Sequence, residues 1–181
     1  DNKTNQKMNK QIISLRKDAK NAAKILGVTD IEFLDFPDNE MDLVSNLQIT
    51  KAIEKIIKKF KPDQVFTHTN FDVNVDHRAL YNATLTATRP KKGSKIKKVF
   101  AFEIPSSTEW YFPTQFSPNV FVDISSEIKT KIQALSRYKT ELEEFPHPRS
   151  KDAIHSISKK WGSVSGFNNA EVFYLVREIS K

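Results

Sequence analysis

Residues 64–78 read QVFTHTNFDVNVDHR, and the class of fold follows from the order of features in this stretch. It begins with a short apolar run, Gln64 to Thr67, that predicts a strand, and the residues from Asp76 onward have helical spacing. The loop between them is dense in polar side chains, because residues 68–78 hold two histidines, two aspartates and two asparagines. A strand that passes through a loop directly into a helix is typical of βαβ units. Ligands of such sheets bind at the carboxyl ends of the strands, so we expect the functional site in this loop.

The rest of the chain continues the alternation of helices and strands. Apolar residues at three- and four-residue steps predict a helix that ends at Leu26 and further helices over 43–60, 76–88, 125–142 and 150–161. Short apolar or alternating runs predict strands over 31–36, 64–67, 99–104, 119–123 and 171–176. This order predicts an α/β fold with a mainly parallel sheet that helices cover on both faces.

The composition is that of an ordinary soluble globular protein. Hydrophobic residues make up 38% and charged residues 28% of the 181 residues, and no linker divides the chain, so we interpret residues 1–181 as a single domain. No apolar stretch is long enough to span a bilayer. Cysteine is absent, which excludes disulfides and cysteine metal ligands and favours the cytoplasm.

The net charge of +7 raises the hypothesis of a nucleic-acid partner. The densest basic run, Lys91 to Lys98, has few aromatic residues near it that would stack on bases. We therefore interpret the run as a solvated turn that enters a strand, and we expect no nucleic-acid binding.

The polar loop supports two interpretations. Asp76 and His77 fall where a helix begins, so Asp76 can cap the helix while His77 points its imidazole over the strand ends, where a neutral ring can bind a divalent metal. Alternatively, the Asp and Asn residues are turn and cap formers and the histidines are incidental. A catalytic zinc site needs about three protein ligands, and no other cluster obviously supplies them. His147 lies between two prolines that could aim it at a pocket, whereas His155 is interpreted as a surface residue of a helix.

Several strings outside the loop are also distinctive. They are Arg16-Lys17-Asp18-Ala19 with Ala22 to Val28, Phe33-Leu34-Asp35-Phe36-Pro37-Asp38, Thr86 to Pro90, Pro105 to Trp110, Pro118 to Asp123, and Phe145 to Ser150. Together with Asp72-x-Asn74-x-Asp76-His77-Arg78, they resemble the LmbE/PIG-L-type deacetylases, in particular bacterial members that occur with surface-sugar biosynthesis. The resemblance covers nearly the whole chain.

This resemblance implies a Rossmann-like α/β fold that holds one zinc or similar divalent ion. The ion activates water to hydrolyse the acetamide of an N-acetylated sugar or sugar conjugate. The family's opening strand ends in His-Pro-Asp-Asp, which supplies two metal ligands and the general base; nothing here matches it, so we expect the chain to begin beyond that strand. Many members have His-Pro-Asp-His where this chain has Asn74-Val75-Asp76-His77.

The resemblance also implies roles for single residues. His77 would be the third metal ligand, and His147 would donate a proton to the leaving amine or help to stabilise the oxyanion. Asp76 would orient loop or ligand groups, with a helix N-cap as the alternative, and Asn74 would donate to the oxyanion, with a loop-stabilising Asx turn as the alternative. The expected substrate-binding residues are Arg16, Asp38, Asp72, Arg89, Arg149 and Trp110. The alternatives are an ion pair with Asp18 for Arg16, surface roles for Arg89 and Arg149, and an oligomer contact for Trp110.

We therefore predict a zinc-dependent N-deacetylase that acts on a small N-acetyl sugar or its conjugate and forms a homo-oligomer. Iron, cobalt or manganese could take the place of zinc. Two alternatives stay open. One is an inactive or structural relative of the same fold, which the residues encoded upstream of Asp1 would distinguish. The other is a basic nucleic-acid-binding α/β domain, which salt-dependent binding to random DNA or RNA would reveal.

Overall fold

A computed structural model describes the backbone of residues 2–180 and the side chains of residues 10–180. Helices and strands alternate along most of the described chain, as the sequence predicts. The helices are α1 (Asn2–Ile25), α2 (Asn46–Phe60), α3 (Val75–Ala87), α4 (Ile128–Leu135) and α5 (Lys151–Ser165). The strands are β1 (Gln64–His68), β2 (Lys98–Phe102), β3 (Val120–Asp123) and β4 (Ala170–Glu178). Two short 3-10 turns lie at Met41–Leu43 and Thr108–Trp110.

These four strands form one sheet in the order β1-β2-β4-β3. β1 and β2 are parallel and pair from Gln64 opposite Lys98 to His68 opposite Phe102, as expected for strands that are joined through a helix. β4 runs antiparallel to β2. The α/β class is therefore confirmed, but the sheet is mixed. The apolar pattern of residues 171–176 predicts a strand and carries no information about the direction in which the strand enters the sheet.

The chain divides into two compact units, and one of them holds the loop between β1 and α3. This unit consists of residues 36–122 and the C-terminal residues from 172 onward. Within it, α3 packs against β1 and α2, and its core includes Ile49, Ala83 and Val99, each at most 1% exposed. The buried hydroxyl of Thr67 donates to that of Thr84 at 3.3 Å and fastens β1 to α3. The loop is thus held between two fixed elements.

The second unit consists of residues up to 35 and residues 123–171, and it is built from α1, α4 and α5. Helix α5 begins at the N-cap Ser150, whose hydroxyl accepts from the N–H of Ala153 at 3.1 Å. It ends at Gly166, whose φ of 81° is a common conformation after a helix. Gly162 is required by packing, because a Cβ there would lie 2.6 Å from the carbonyl oxygen of Phe167.

Two predicted elements differ from the structure. Residues 31–36 form no strand; although the segment alternates, its ring at Phe33 lies beneath the cations of Arg16 and Lys20, which belong to α1. The helix predicted over 125–142 is confined to α4. It ends early because its last turn tightens, with the N–H of Arg137 donating to the carbonyl of Ala134 at 3.0 Å.

Within the described residues, no helix combines the length and apolar character needed to cross a membrane. The single domain over 1–181, the homo-oligomer and the cytoplasmic location stay predictions.

Candidate active site

The loop that follows β1 is closed by the start of α3. Asn74 is the N-cap of the helix, because its Oδ1 accepts from the N–H of Asp76 at 2.8 Å. Its own N–H donates to Oδ1 of Asp72 at 2.8 Å. The guanidinium of Arg78 donates to the carbonyl oxygens of Asp72 at 2.5 Å and Val73 at 2.8 Å. These bonds bring Asp72 back toward the first turn of the helix, where Nδ1 of His77 lies 3.0 Å from Oδ2 of Asp72.

Asp72 is fully buried and is the most heavily hydrogen-bonded carboxylate of this loop. Its Oδ2 accepts from the hydroxyls of Ser107 and Thr108, both at 2.8 Å, in addition to His77. Burial alone raises the pKa of Asp72, but the hydrogen bonds from His77, the N–H of Asn74, Thr108 and Ser107 outweigh it and hold the pKa below its usual value. Asp72 is therefore an anion at neutral pH. The sequence predicted substrate contact for Asp72, but in the structure both oxygens are used by protein donors.

This arrangement fixes the role of each nitrogen of His77. Since the carboxylate of Asp72 can only accept, Nδ1 is the nitrogen of His77 that carries a proton facing it, and Nε2 is the nitrogen that offers a lone pair when the ring is neutral. The hydroxyl of Ser107 also lies 3.4 Å from Nδ1. A carboxylate behind an imidazole is the usual arrangement behind a metal-binding histidine, because it orients the ring and makes it more basic. His77 therefore fits one ligand position of a metal site.

The last residue of β1, His68, lies directly against His77. The two imidazoles are stacked, with centroids 4.2 Å apart and planes 10° apart, and the ring of Phe102 lies 5.1 Å from that of His68. Nδ1 of His68 is buried without a hydrogen-bond partner. Burial above all, and then the charge of His77, lower the pKa of His68 to about 4, although the charge of Asp72 opposes both effects. His68 is thus neutral at pH 7.

The described residues do not complete a metal site. No group of three or more His, Asp or Glu side chains that could hold an ion occurs in the part of the chain that the structure describes. A catalytic zinc ion typically takes about three protein ligands. Among the described residues, the assignment of a metal ligand is therefore limited to His77.

Asp76 and Asn74 hold the loop that precedes α2. Asp76 does not cap α3, since Asn74 occupies that position; instead its carboxylate accepts from the N–H groups of Asn39 at 2.7 Å and Met41 at 2.9 Å. Nδ2 of Asn74 donates to the side-chain oxygen of Asn39 at 3.2 Å. The side-chain oxygen and nitrogen of Asn74 therefore both bond within the protein, as expected if Asn74 stabilises the loop. Asp38, predicted to bind substrate, is exposed and lies beside this junction, where it accepts from Nδ2 of Asn39 at 3.3 Å.

Three predicted site residues belong to the other unit, where each has a local partner. Arg16 forms an ion pair with Asp35; the alternative pairing with Asp18 is wrong, because residues two apart do not face each other on a helix. Nδ1 of His147 accepts from the N–H of Arg149 at 3.1 Å. The guanidinium of Arg149 pairs with a glutamate of the same unit, Glu141.

Arg89 and Trp110 lie in the same unit as His77 but differ in their relation to it. Arg89 donates to the carbonyl of Thr86 at 2.7 Å, beyond the far end of α3, and the helix places it about 18 Å along its axis from His77. A small substrate held at His77 does not reach it. Trp110 is 49% exposed in the 3-10 turn that begins one residue after Ser107.

The sequence predicts no role for His68, Ser107 or Thr108. His68 was visible as a histidine at a strand end, which is a weak signal. Ser107 and Thr108 lie 35 and 36 residues from Asp72 in sequence. No spacing rule connects them with it, because they come together only through the parallel pairing of β1 and β2.

Comparisons with known proteins show which proteins this chain is similar to. The sequence profile of the PIG-L family, described as GlcNAc-PI de-N-acetylase, matches residues 1–88. The uncharacterized deacetylase YaiS of Escherichia coli strain K12 is 33% identical over 135 residues, which is 71% of this chain and 67% of YaiS. The diacetylchitobiose deacetylase of Thermococcus kodakarensis is 27% identical over 161 residues, which is 84% of this chain and 58% of that protein.

Among solved structures, the conserved protein TT1542 from Thermus thermophilus superimposes with a TM-score of 0.72. The match covers 92% of this chain and 74% of that one, at 20% sequence identity. At this level of identity the likeness shows the fold alone.

Proposed function

This chain belongs to the PIG-L family of de-N-acetylases, and from that premise we propose that it is a metal-dependent amide hydrolase that removes the acetyl group from an N-acetylated amino sugar or sugar conjugate. The observation that carries the proposal is the contact between the buried carboxylate of Asp72 and the partly exposed imidazole of His77, beyond the carboxyl end of β1. A relative whose name specifies diacetylchitobiose supports the class of substrate.

His77 is the proposed metal ligand, through Nε2. When bound there, zinc or another divalent ion would lower the pKa of its water to about 7 and polarise the amide carbonyl. Asp72 keeps the proton on Nδ1 of His77 and holds the ring in one orientation. Ser107 and Thr108 in turn donate to the carboxylate of Asp72 and hold it in place, so the acceptor that faces Nδ1 of His77 is itself fixed.

The remaining predicted residues are proposed for the substrate and for proton transfer. His147 is proposed as the donor to the leaving amine, because an imidazole can titrate near neutral pH. Asp38 is proposed to bind a sugar hydroxyl at the junction held by Asp76. Arg16 and Arg149 are proposed to bind an anionic part of a conjugate, if the substrate carries one.

The test is acetate release by the full-length protein, with zinc added, from a panel of N-acetylated sugars and sugar conjugates. His77→Ala should abolish release and zinc binding, since it removes a ligand. Asp72→Ala should weaken zinc binding by about 10- to 100-fold, the usual effect of losing a carboxylate behind a ligand. His155→Ala is the matched control, because it removes a histidine from α5, and it should retain both properties.

Zinc content measured on the same samples separates the possible outcomes. A folded, zinc-loaded protein that releases no acetate from any substrate would contradict the proposal and favour a catalytically inactive relative. Activity that survives His77→Ala would show that the assignment of the ligand is wrong.

The structure gives no support to the nucleic-acid alternative. Both ends of the basic run at Lys91 to Lys98 have carboxylate partners: Lys91 pairs with Glu54 at 2.8 Å and Lys98 with Glu178 at 3.1 Å. This pairing neutralises part of the positive charge on which non-specific binding depends.

A further inference from the structure

The hydrogen bond to Asp72 sets the direction of the Nδ1–H bond of His77, and the tilt of the ring about that bond is a second degree of freedom. Nδ1 lies 3.0 Å from Oδ2 of Asp72, and the hydroxyl of Ser107 lies 3.4 Å from the same nitrogen. Both contacts are made at one edge of the ring, so they leave it free to turn about the axis that joins Nδ1 to Oδ2. Such a turn redirects the lone pair of Nε2, because the two nitrogens of a five-membered ring do not point in opposite directions. The side chain of His77 is 18% exposed, so the surrounding protein does not enclose it completely.

The ring of His68 makes a second contact with His77, from a different direction. The two imidazoles are stacked face to face, with centroids 4.2 Å apart and planes only 10° apart. Planar rings at this separation are in van der Waals contact. A turn of the His77 ring about its N–H bond would therefore drive one edge of the ring into His68. The stack restrains the movement that the hydrogen bond to Asp72 permits.

His68 is itself held by the sheet. It is the last residue of β1 and lies opposite Phe102 in the parallel pairing with β2, and the ring of Phe102 lies 5.1 Å from its own. The N–H of the next residue, Thr69, donates to the carbonyl of Phe102 at 2.9 Å, so the backbone stays paired beyond His68. Nδ1 of His68 is buried without a hydrogen-bond partner. What His68 offers to His77 is therefore its flat ring rather than a hydrogen bond from that nitrogen.

We propose that His68 is a positioning residue, which holds the tilt of the His77 imidazole so that the lone pair of Nε2 keeps one direction for a metal ion. This inference rests on the proposed function, since His77 is the proposed ligand. In this role His68 touches neither the ion nor the substrate, and it acts through His77 alone. A ligand that is held before the ion arrives loses less conformational freedom on binding, and this preorganisation increases the affinity.

The first test measures the zinc affinity of the full-length protein by competition with a chelator. His68→Ala removes the stacked ring and should weaken zinc binding by about tenfold, the lower end of the effect of losing a group that orients a ligand. His68→Phe restores a flat ring without the nitrogens and should bind zinc within about twofold of the wild type. Ile49→Val is the control for general destabilisation, because it removes a buried methyl group from the core of the same unit, and it should leave the affinity unchanged. Wild-type affinity in His68→Ala, or equal losses in His68→Ala and His68→Phe, would overturn the assignment.

A second measurement needs no metal and separates this inference from the proposed function. In the metal-free protein, NMR relaxation of the ring C–H bonds of His77 gives an order parameter for motion on the picosecond-to-nanosecond timescale. This order parameter should fall in His68→Ala and keep its wild-type value in His68→Phe and Ile49→Val. A wild-type protein that binds no zinc, combined with this fall, would reject the proposed function and keep the role of His68 in holding the ring. Zinc binding and acetate release by the wild type, combined with an unchanged order parameter in His68→Ala, would overturn the role of His68 and keep the proposed function.

Discussion

The replacement His68→Phe should make folding less sensitive to acid. Burial first, and then the charge of His77, hold the pKa of His68 at about 4, compared with 6.5 for an unperturbed histidine. Between these values the unfolded chain binds a proton that the folded protein does not. Stability therefore falls as pH decreases from about 6.5 to about 4. The difference of about 2.5 pH units corresponds to roughly 3 kcal/mol over the whole window and to about 2 kcal/mol between pH 6.5 and 5.

Phenylalanine keeps a flat ring against His77 and Phe102 and removes both the titration and the unpaired Nδ1. Urea unfolding in the presence of a chelator, at about pH 7, 6 and 5, gives the free energy of unfolding of each protein. The advantage of His68→Phe over the wild type should grow by about 2 kcal/mol as pH falls to about 5. Ile49→Val is the control, because it removes a buried methyl group from the core of the same unit and leaves His68 and its ring neighbours in place, and its offset should be the same at every pH. A constant offset for His68→Phe would refute the reasoning.

Two further predictions concern single contacts. Asp76→Ala should lower the free energy of unfolding by about 1–3 kcal/mol, because the N–H groups of Asn39 and Met41 lose their charged acceptor. The same change should speed hydrogen exchange in residues 38–43. Unchanged exchange there would mean that Asp76 does not hold the loop. Gly162→Ala should lower the free energy of unfolding by about 1–3 kcal/mol, because the added Cβ would lie too close to the carbonyl oxygen of Phe167. A melting temperature equal to that of the wild type would show instead that the turn after α5 relaxes freely.

Much of the local structure could be predicted because its signals are short-range. The pattern of residues 64–78 predicts β1, the polar loop and α3, and the structure contains all three. The residue that caps α3 was harder to predict, since Asn74 and Asp76 are both good N-caps. Only the hydrogen bonds identify Asn74 as the cap and leave Asp76 free to hold the loop at Asn39.

By itself the sequence determined the α/β class and the position of His77 at the start of a helix that follows a strand. It could do so because apolar periodicity, helix caps and turn-forming residues act over only a few residues. Tertiary structure decided which groups surround His77. Ser107 and Thr108 reach Asp72 because β1 and β2 pair in parallel and end at the same edge of the sheet. Only the tertiary structure shows that residues 31–36 form no strand of the sheet and that β4 runs antiparallel to β2. A strand exists only with a neighbour, and the choice of neighbour depends on packing between residues that are far apart in the chain.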